Sequence, residues 1–471
     1  MICGICVPLN TVKMEEVSLD LIKKYNVQGP RYTSYPTALQ FKETTESGRR
    51  ELLGHLEEHN QYAREISLYF HIPFCFSLCW YCGCTKVITK DQDRGDLYLD
   101  YLEKEMDIIS GMLHPDSKVI QIHFGGGTPT FLKPEQLLRL GASIRDRFNL
   151  TEATEFGVEI DPRRCSREHI EALREIGCNR ASLGVQDTNE QVQKAIHRIQ
   201  PFEQTRRVTG WLRDAGIDSI NFDLIYGLPL QTLDTFRQTM DDVLELMPDR
   251  LAVYSYAHIP RLMPAQKLLN VEDMPDTDEK LSMLQLGISH FTGNGYRFIG
   301  MDHFSRENEE LSQAMDDGTL QRNFQGYSTH SGADLYAFGM SGISNVGDYY
   351  WQNAKELSEY YSSLDALTLP VAKILQLCKD DKIRKDAIMR IMCRMGLSFN
   401  EMEEKWGIVF EEYFSDSLQR LASLQNDGFV KVNNNEIRIT EQGRLFLRNI
   451  AMCFDRYLQA SKKDSSFSKT V

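Results

Sequence analysis

Between residues 66 and 256, apolar or β-branched runs alternate with stretches of helical spacing, six times over. The runs are Ile66–Ile72, Val119–Phe124, Phe156–Ile160, Arg180–Val185, Ser219–Ile225 and Leu251–Tyr256. Between the first two, Leu99, Leu102, Met106, Ile109 and Leu113 fall on one helical face. Ser166 is placed to cap a helix that closes at Gly177, and the stretches 202–215 and 232–247 close at Gly216 and Pro248. Strand followed by helix, repeated, predicts a parallel α/β structure. Polar and glycine residues gather after the strands: Gly125–Thr128, Glu159 with Asp161, Gln186 with Asp187, Asp223, and Ala257 with His258. Barrels collect their chemistry at those strand ends, so a full or partial barrel is the better reading than an open doubly wound sheet.

Past residue 365 the pattern changes. Helical stretches at 382–394 and 412–424 precede two β-like runs, 429–432 and 437–440, joined by Asn433-Asn434-Asn435-Glu436. A single helix is expected over 441–458. Two helices, a hairpin and a helix suggest a winged-helix-like module. Its 17 basic and 14 acidic residues from 371 to 471 are too evenly balanced to argue for DNA.

The chain as a whole has 53 basic and 67 acidic side chains, a net charge of −14, which speaks against nucleic acid as the main ligand. No apolar run of about 18 residues is present, so no membrane span is expected. Eleven cysteines, an odd number, with no secretion signal at the N-terminus, point to the reducing cytoplasm rather than to a disulfide framework. Cys3 and Cys6 form a lone Cys-x-x-Cys with little to recommend it as a metal site.

Four cysteines fall within ten residues: Cys75, Cys79, Cys82 and Cys84. The first three, spaced Cys-x-x-x-Cys-x-x-Cys on one loop after a strand, lack the paired spacing of zinc sites. Thiolates on so compact a loop suit an iron–sulfur cluster in which one iron is left without a protein ligand. After the next strand, Gly125-Gly126-Gly127-Thr128 lets the backbone approach a ligand closely. The two motifs together resemble the radical S-adenosylmethionine enzymes.

Longer pieces narrow the resemblance: Gly-Pro-Arg-Tyr-Thr-Ser-Tyr-Pro-Thr at 29–37, Tyr-Phe-His-Ile-Pro-Phe-Cys at 69–75, Gly-Val-Gln-Asp at 184–187, Asp-Leu-Ile-Tyr-Gly-Leu-Pro at 223–229, Gly-Met-Asp-His-Phe at 300–304 and Arg-Asn-Phe-Gln-Gly-Tyr at 322–327. With these the chain, from about 25 to 458, closely resembles the oxygen-independent coproporphyrinogen III oxidases. The resemblance implies a partial (β/α)6 TIM-like barrel: an N-terminal arm (1–50), a radical S-adenosylmethionine barrel (51–365) and a mainly helical C-terminal domain (366–471). It implies oxidative decarboxylation of two propionates of coproporphyrinogen III to vinyls, giving protoporphyrinogen IX in haem synthesis.

The implied cofactors are a [4Fe-4S] cluster on Cys75, Cys79 and Cys82, and two S-adenosylmethionine molecules. The first is expected against Tyr69, Gly126, Glu159 and Ile343. The second is expected against Tyr81, Gly127, Thr128, Gln186, Arg198, Asp223 and Ala257. Carboxylates suit ribose hydroxyls, and an arginine suits a carboxylate. Cys84 lies outside the iron ligands but is implied to matter for activity, as are Phe324 and Gln325 near the substrate. Arg31 and Arg322 are added here as candidates for propionate contacts. An unidentified electron donor and a monomer complete the expectation, and residues 1–13 read as a misassigned or dispensable extension ahead of Met14. The competing reading is a haem chaperone of the same superfamily, which shares the cysteines and glycines but lacks the arm motif at 29–37. A haem-degrading methyltransferase should lack that arm too.

Overall fold

The computed structural model describes residues 17–324, 326–330, 332–460 and 467–470. The expectations for residues 1–13, and for Gln325, lie outside that set. Six parallel strands form where the apolar runs predicted them: β1 (Glu65–Ile72), β2 (Lys118–Gly126), β3 (Asn149–Ile160), β4 (Arg180–Gln186), β5 (Ser219–Tyr226) and β6 (Arg250–Ser255). They lie side by side in that order, each parallel to the next. Helices Arg94–Ser110, Pro134–Arg147, Arg167–Glu175, Phe202–Asp214 and Leu233–Glu245 alternate with them. A helical layer on one face is what the sequence requires: Leu68, Phe70 and Ile72 of β1 are buried in one core with Leu99, Leu102 and Met106.

The sheet is wider than six strands. After β6 come β7 (Tyr296–Gly300) and β8 (His303–Arg306), both antiparallel additions at one edge. On the other edge β9 (Asp334–Phe338) pairs parallel with β1, a seventh parallel strand that no helical stretch announced. Beyond it follow β10 (Ile343–Val346), β11 (Tyr349–Asn353) and β12 (Val371–Gln376), each antiparallel to its neighbour, and last a short strand, Lys42–Glu43, antiparallel to β12. The thirteen strands form a partial barrel whose outermost strands do not pair with each other.

The inner face of the barrel carries polar side chains at two levels. Near the amino ends of the strands, Arg180 meets Glu155 at 3.1 Å and Glu309 at 3.4 Å, and Arg250 also pairs with Glu309. Gln121 donates to Glu155 at 2.7 Å. Burial opposes ionisation there, yet His330, Arg180 and Gln121 hold Glu155 well below the usual carboxylate range.

A second core joins the arm to the C-terminal module. Ile22, Tyr32 and Tyr35 pack with Ile388, Ile391, Phe414, Leu421 and Phe446. Gly396–Ser398, Val430–Val432 and Glu436–Ile439 form a small antiparallel sheet, with the predicted hairpin as its second half. The single helix expected over 441–458 is instead three short pieces, Gln442–Phe446, Leu447–Met452 and Arg456–Ala460. Asp455 explains the last break: its carboxylate accepts from the amides of Tyr457 (2.8 Å) and Leu458 (3.3 Å), restarting the helix, and from the buried Tyr32 hydroxyl at 2.9 Å.

Candidate active site at the carboxyl ends of the strands

The cysteine loop leaves β1 at Ile72 and is tied down on every side. Gly127 donates to the Ile72 carbonyl (2.8 Å), Val87 to Pro73 (2.8 Å) and Thr89 to Cys75 (3.0 Å). Trp80 donates its amide to Ile196 (3.1 Å) and stacks on His197, whose Nδ1–H donates to Leu78 at 2.8 Å. Cys75 Sγ lies 3.4 Å from Thr128 Oγ1. The Cys79 sulfur receives Arg163 at 3.4 Å and Arg198 at 3.6 Å. Burial pushes the Cys75 thiol up to about 11, and the nearby Cys82 and Cys79 add to it. Lys86 donates to the carbonyls of Cys82 and Cys84 (3.3 and 3.2 Å), and Cys84 is exposed beside them.

This donor set fits an iron–sulfur cluster. Three soft sulfur donors on one short loop are the ligands such a cluster takes. Among the described residues no three metal-ligating side chains converge on a point where one ion would sit.

The glycine turn lies against that loop so closely that side chains are excluded. A Cβ on Gly127 would stand 2.5 Å from the Pro73 carbonyl oxygen. Gly126 has φ +113°, and a Cβ there would strike the His71 ring at 2.7 Å. Its amide donates instead to Glu159 at 3.2 Å. His71 Nε2–H donates to the Thr85 carbonyl (3.0 Å), which leaves Nδ1 to accept from the Tyr69 hydroxyl (3.2 Å). Tyr69 also stacks on His123, which lies 3.4 Å from Glu159. Tyr69, His71, His123, Gly126 and Glu159 therefore stand together over β1, β2 and β3.

The ring continues across β4 to β6. Asp223 is half-buried and accepts from Asn221 (2.9 Å) and Ser182 (3.1 Å). Burial, and then repulsion from Glu159, raise its carboxyl to about 6. At the end of β4 the pairing register shifts between Gly184 and Gln186, and Gln186 takes φ +68°. A bulge of this kind re-aims a side chain at a strand end. Arg198 donates to the Gly184 carbonyl at 2.6 Å and meets Asp161 at 3.3 Å, while its buried Nε has no partner. Although burial opposes it, Arg198 and then Arg163 hold Asp161 down at about 2.

Two connections escape the sequence pattern. Arg198, 37 residues along the chain, shares Asp161 at 3.3 Å with Arg163 of the same turn, which meets it at 2.6 Å. Gln266, buried in a short 3-10 turn, donates to the carbonyls of Tyr81 and Ala257, both at 3.1 Å, and accepts from Ile259 at 2.6 Å. It thereby joins the cysteine loop to the loop after β6. No periodicity marked Gln266; the polar run after Glu159 was the only signal for Asp161.

The remaining expected residues lie on the widened side. Leu335 pairs with Asn345, and carrying that pairing two residues along brings Ile343 level with Ala337, which faces Tyr69. Phe324 stands edge-on to Tyr350 at 6.3 Å. Of the two candidate propionate arginines, Arg31 is already paired with Asp302 at 2.5 Å. Arg322 is buried, over the Tyr327 ring at 4.7 Å.

Comparison with known proteins agrees with this geometry. The Radical SAM superfamily profile matches residues 69–243, and the HemN C-terminal domain profile matches 377–446. The oxygen-independent coproporphyrinogen III oxidase of Pseudomonas aeruginosa is 44% identical over 465 residues, covering 98% of this chain and 100% of that one. The Escherichia coli protein of the same name is 43% identical over 461 residues, again covering 98% and 100%. The solved structure of Escherichia coli coproporphyrinogen III oxidase (HemN), described as a radical SAM enzyme, superposes with a TM-score of 0.89 at 42% identity, covering 94% of this chain and 99% of that one. Among the described residues no helix is long and apolar enough to cross a membrane.

Proposed function

The chain belongs to the oxygen-independent coproporphyrinogen III oxidase family of radical S-adenosylmethionine enzymes, and from that premise we propose how its own residues divide the work. Its reaction is the oxidative decarboxylation of two propionates of coproporphyrinogen III to vinyls, giving protoporphyrinogen IX in haem synthesis. Cys75, Cys79 and Cys82 hold the cluster. Held there, the cluster would supply the one-electron reduction of S-adenosylmethionine that starts hydrogen abstraction from the propionate.

Two S-adenosylmethionine molecules share the strand ends in this reading. Tyr69, Gly126, Glu159 and Ile343 serve the one beside the cluster. The backbone of Gly126 can approach it because no side chain intervenes, and Glu159 offers carboxylate oxygens to ribose hydroxyls. Tyr81, Gly127, Thr128, Gln186, Arg198, Asp223 and Ala257 serve the other. Asp223 accepts from its ribose above pH 6, where the carboxyl is ionised. Arg198 brings an unused Nε–H to its carboxylate. Phe324, Gln325 and Cys84 belong to the substrate side. The chain acts as a monomer in the cytoplasm, with electrons from a separate reductant.

The observation that carries this reading is the cysteine loop packed on a glycine turn that excludes any Cβ, ringed by acceptors on successive strands. An anaerobic assay of the reconstituted protein with coproporphyrinogen III, S-adenosylmethionine and a reductant tests it, with products read by mass. Protoporphyrinogen IX is expected, with about two 5′-deoxyadenosines per product if each decarboxylation consumes one radical. Stoichiometric haem binding without decarboxylation, from a protein with its cluster intact, would make it a chaperone instead.

A further inference from the structure

A cleft of about 340 Å³ opens between the N-terminal arm and the antiparallel strands that widen the barrel. Ser34 and Thr37 of the arm form one wall, and Phe324, Gln352, Lys355 and Lys373 form the other. The sheet register ties this cleft to the cysteine end of the barrel. Tyr69 faces Ala337, Ala337 is level with Ile343, Ile343 pairs with Gln352, and Gln352 pairs with Lys373. Directly opposed residues share a face of the sheet. One continuous row therefore runs from Tyr69 to Lys373 across four strand spacings, roughly 19 Å.

The charges in the cleft are unequal in availability. Arg31 lines it too, but Asp302 already answers its charge at 2.5 Å. Among the described residues neither Lys355 nor Lys373 makes an ion pair, although Glu43 lies opposite Lys373 in the strand pairing. A chain of net charge −14 repels a polycarboxylate unless a concave site focuses positive potential locally. Phe324, held edge-on to Tyr350, gives the same cleft an apolar wall.

We propose that Lys355 and Lys373 form a carboxylate subsite that holds the propionates the reaction leaves intact, so that another propionate is presented at the Tyr69 end of the row. The inference rests on the decarboxylase reading above and assigns its substrate-orienting cations. An ammonium on a carboxylate is a charge-assisted pair that lysine makes without the bidentate fork of arginine.

The test uses the reconstituted holoenzyme and two readouts: KM and kcat for coproporphyrinogen III, and the Kd for coproporphyrin III, which keeps the carboxylates, by fluorescence. The double variant Lys355→Gln/Lys373→Gln should raise both KM and Kd by roughly tenfold or more, with kcat within about twofold. Lys355→Arg/Lys373→Arg should recover most of the loss, because the charge returns. Lys431→Gln, on the C-terminal hairpin, controls for overall charge and should leave both constants in place. If the wild type converts substrate but the double Gln variant keeps its KM and Kd, the subsite is refuted and the family reading stands. A fall in kcat with KM unchanged would refute it equally. A wild type with an intact cluster that never decarboxylates would overturn the reading and the subsite together.

Discussion

The same barrel strands carry charged residues on their inner face at two levels, and the levels are built on opposite rules. Near the amino ends, Glu155, Arg180, Arg250 and Glu309 answer one another within the protein. At the carboxyl ends, among the described residues, neither Glu159 nor Asp223 pairs with an arginine or lysine: Glu159 meets His123 at 3.4 Å, Asp223 accepts from the neutral Asn221 and Ser182, and Gln186 sits in the left-handed region. The lower level resembles a plug and the upper one a socket. A carboxylate with no guanidinium or ammonium beside it keeps accepting capacity for a ligand's hydroxyls, so these acceptors mark where a ligand fits.

The two levels also titrate in opposite senses. The folded state holds Glu155 below its ordinary range, so its contribution is present above the unfolded pKa and is lost as pH falls. Asp223 is raised from 3.8 to about 6, so the folded protein keeps that proton longer than the unfolded chain does. Its cost therefore appears as pH rises from about 4 to 6 and persists above.

Substitutions can break the contrast. Cys75→Ser should have the largest effect, taking 5′-deoxyadenosine formation to background while the melting temperature of the cluster-free protein barely moves. Glu155→Gln should do the reverse: a stability loss of about 3 kcal/mol in denaturant, as for a buried pair broken on one side, with S-adenosylmethionine affinity per folded molecule unchanged. Asp223→Asn should stabilise the ligand-free protein above pH 6, by up to about 3 kcal/mol, and have no such effect near pH 4. The same variant should weaken S-adenosylmethionine binding by roughly tenfold or more. Gln266→Ala should have the smallest effect, a few-fold rise in KM for S-adenosylmethionine, because it loosens two loops without removing a ligand contact.

Much of this was legible in the sequence because period and spacing are local. The six parallel strands announced themselves as apolar runs separated by helical ones, and the cysteine and glycine motifs needed no fold to be noticed. The strand Asp334–Phe338 escaped because it is buried at every position and so shows no alternation, and no helix follows it before the sheet turns antiparallel. The 441–458 stretch kept a helical apolar spacing, yet Asp455 and the arm's Tyr32 impose a break that only tertiary structure supplies. The partnership of Asp161 with Arg198 spans 37 residues and two elements, and Gln266 reaches 185 residues back to Tyr81. Arg31 shows the same limit of local reading. Its motif made it a candidate for the substrate, and Asp302, far along the chain, already pairs with it.

The most direct test of the contrast is the number of S-adenosylmethionine molecules bound per cluster-loaded chain, by anaerobic equilibrium dialysis, in the wild type and in the Asp223→Asn and Glu155→Gln variants. Two per chain in the wild type and in Glu155→Gln, but one in Asp223→Asn, is the expected result. A single molecule in the wild type, or a loss of binding in Glu155→Gln but not in Asp223→Asn, would contradict the account.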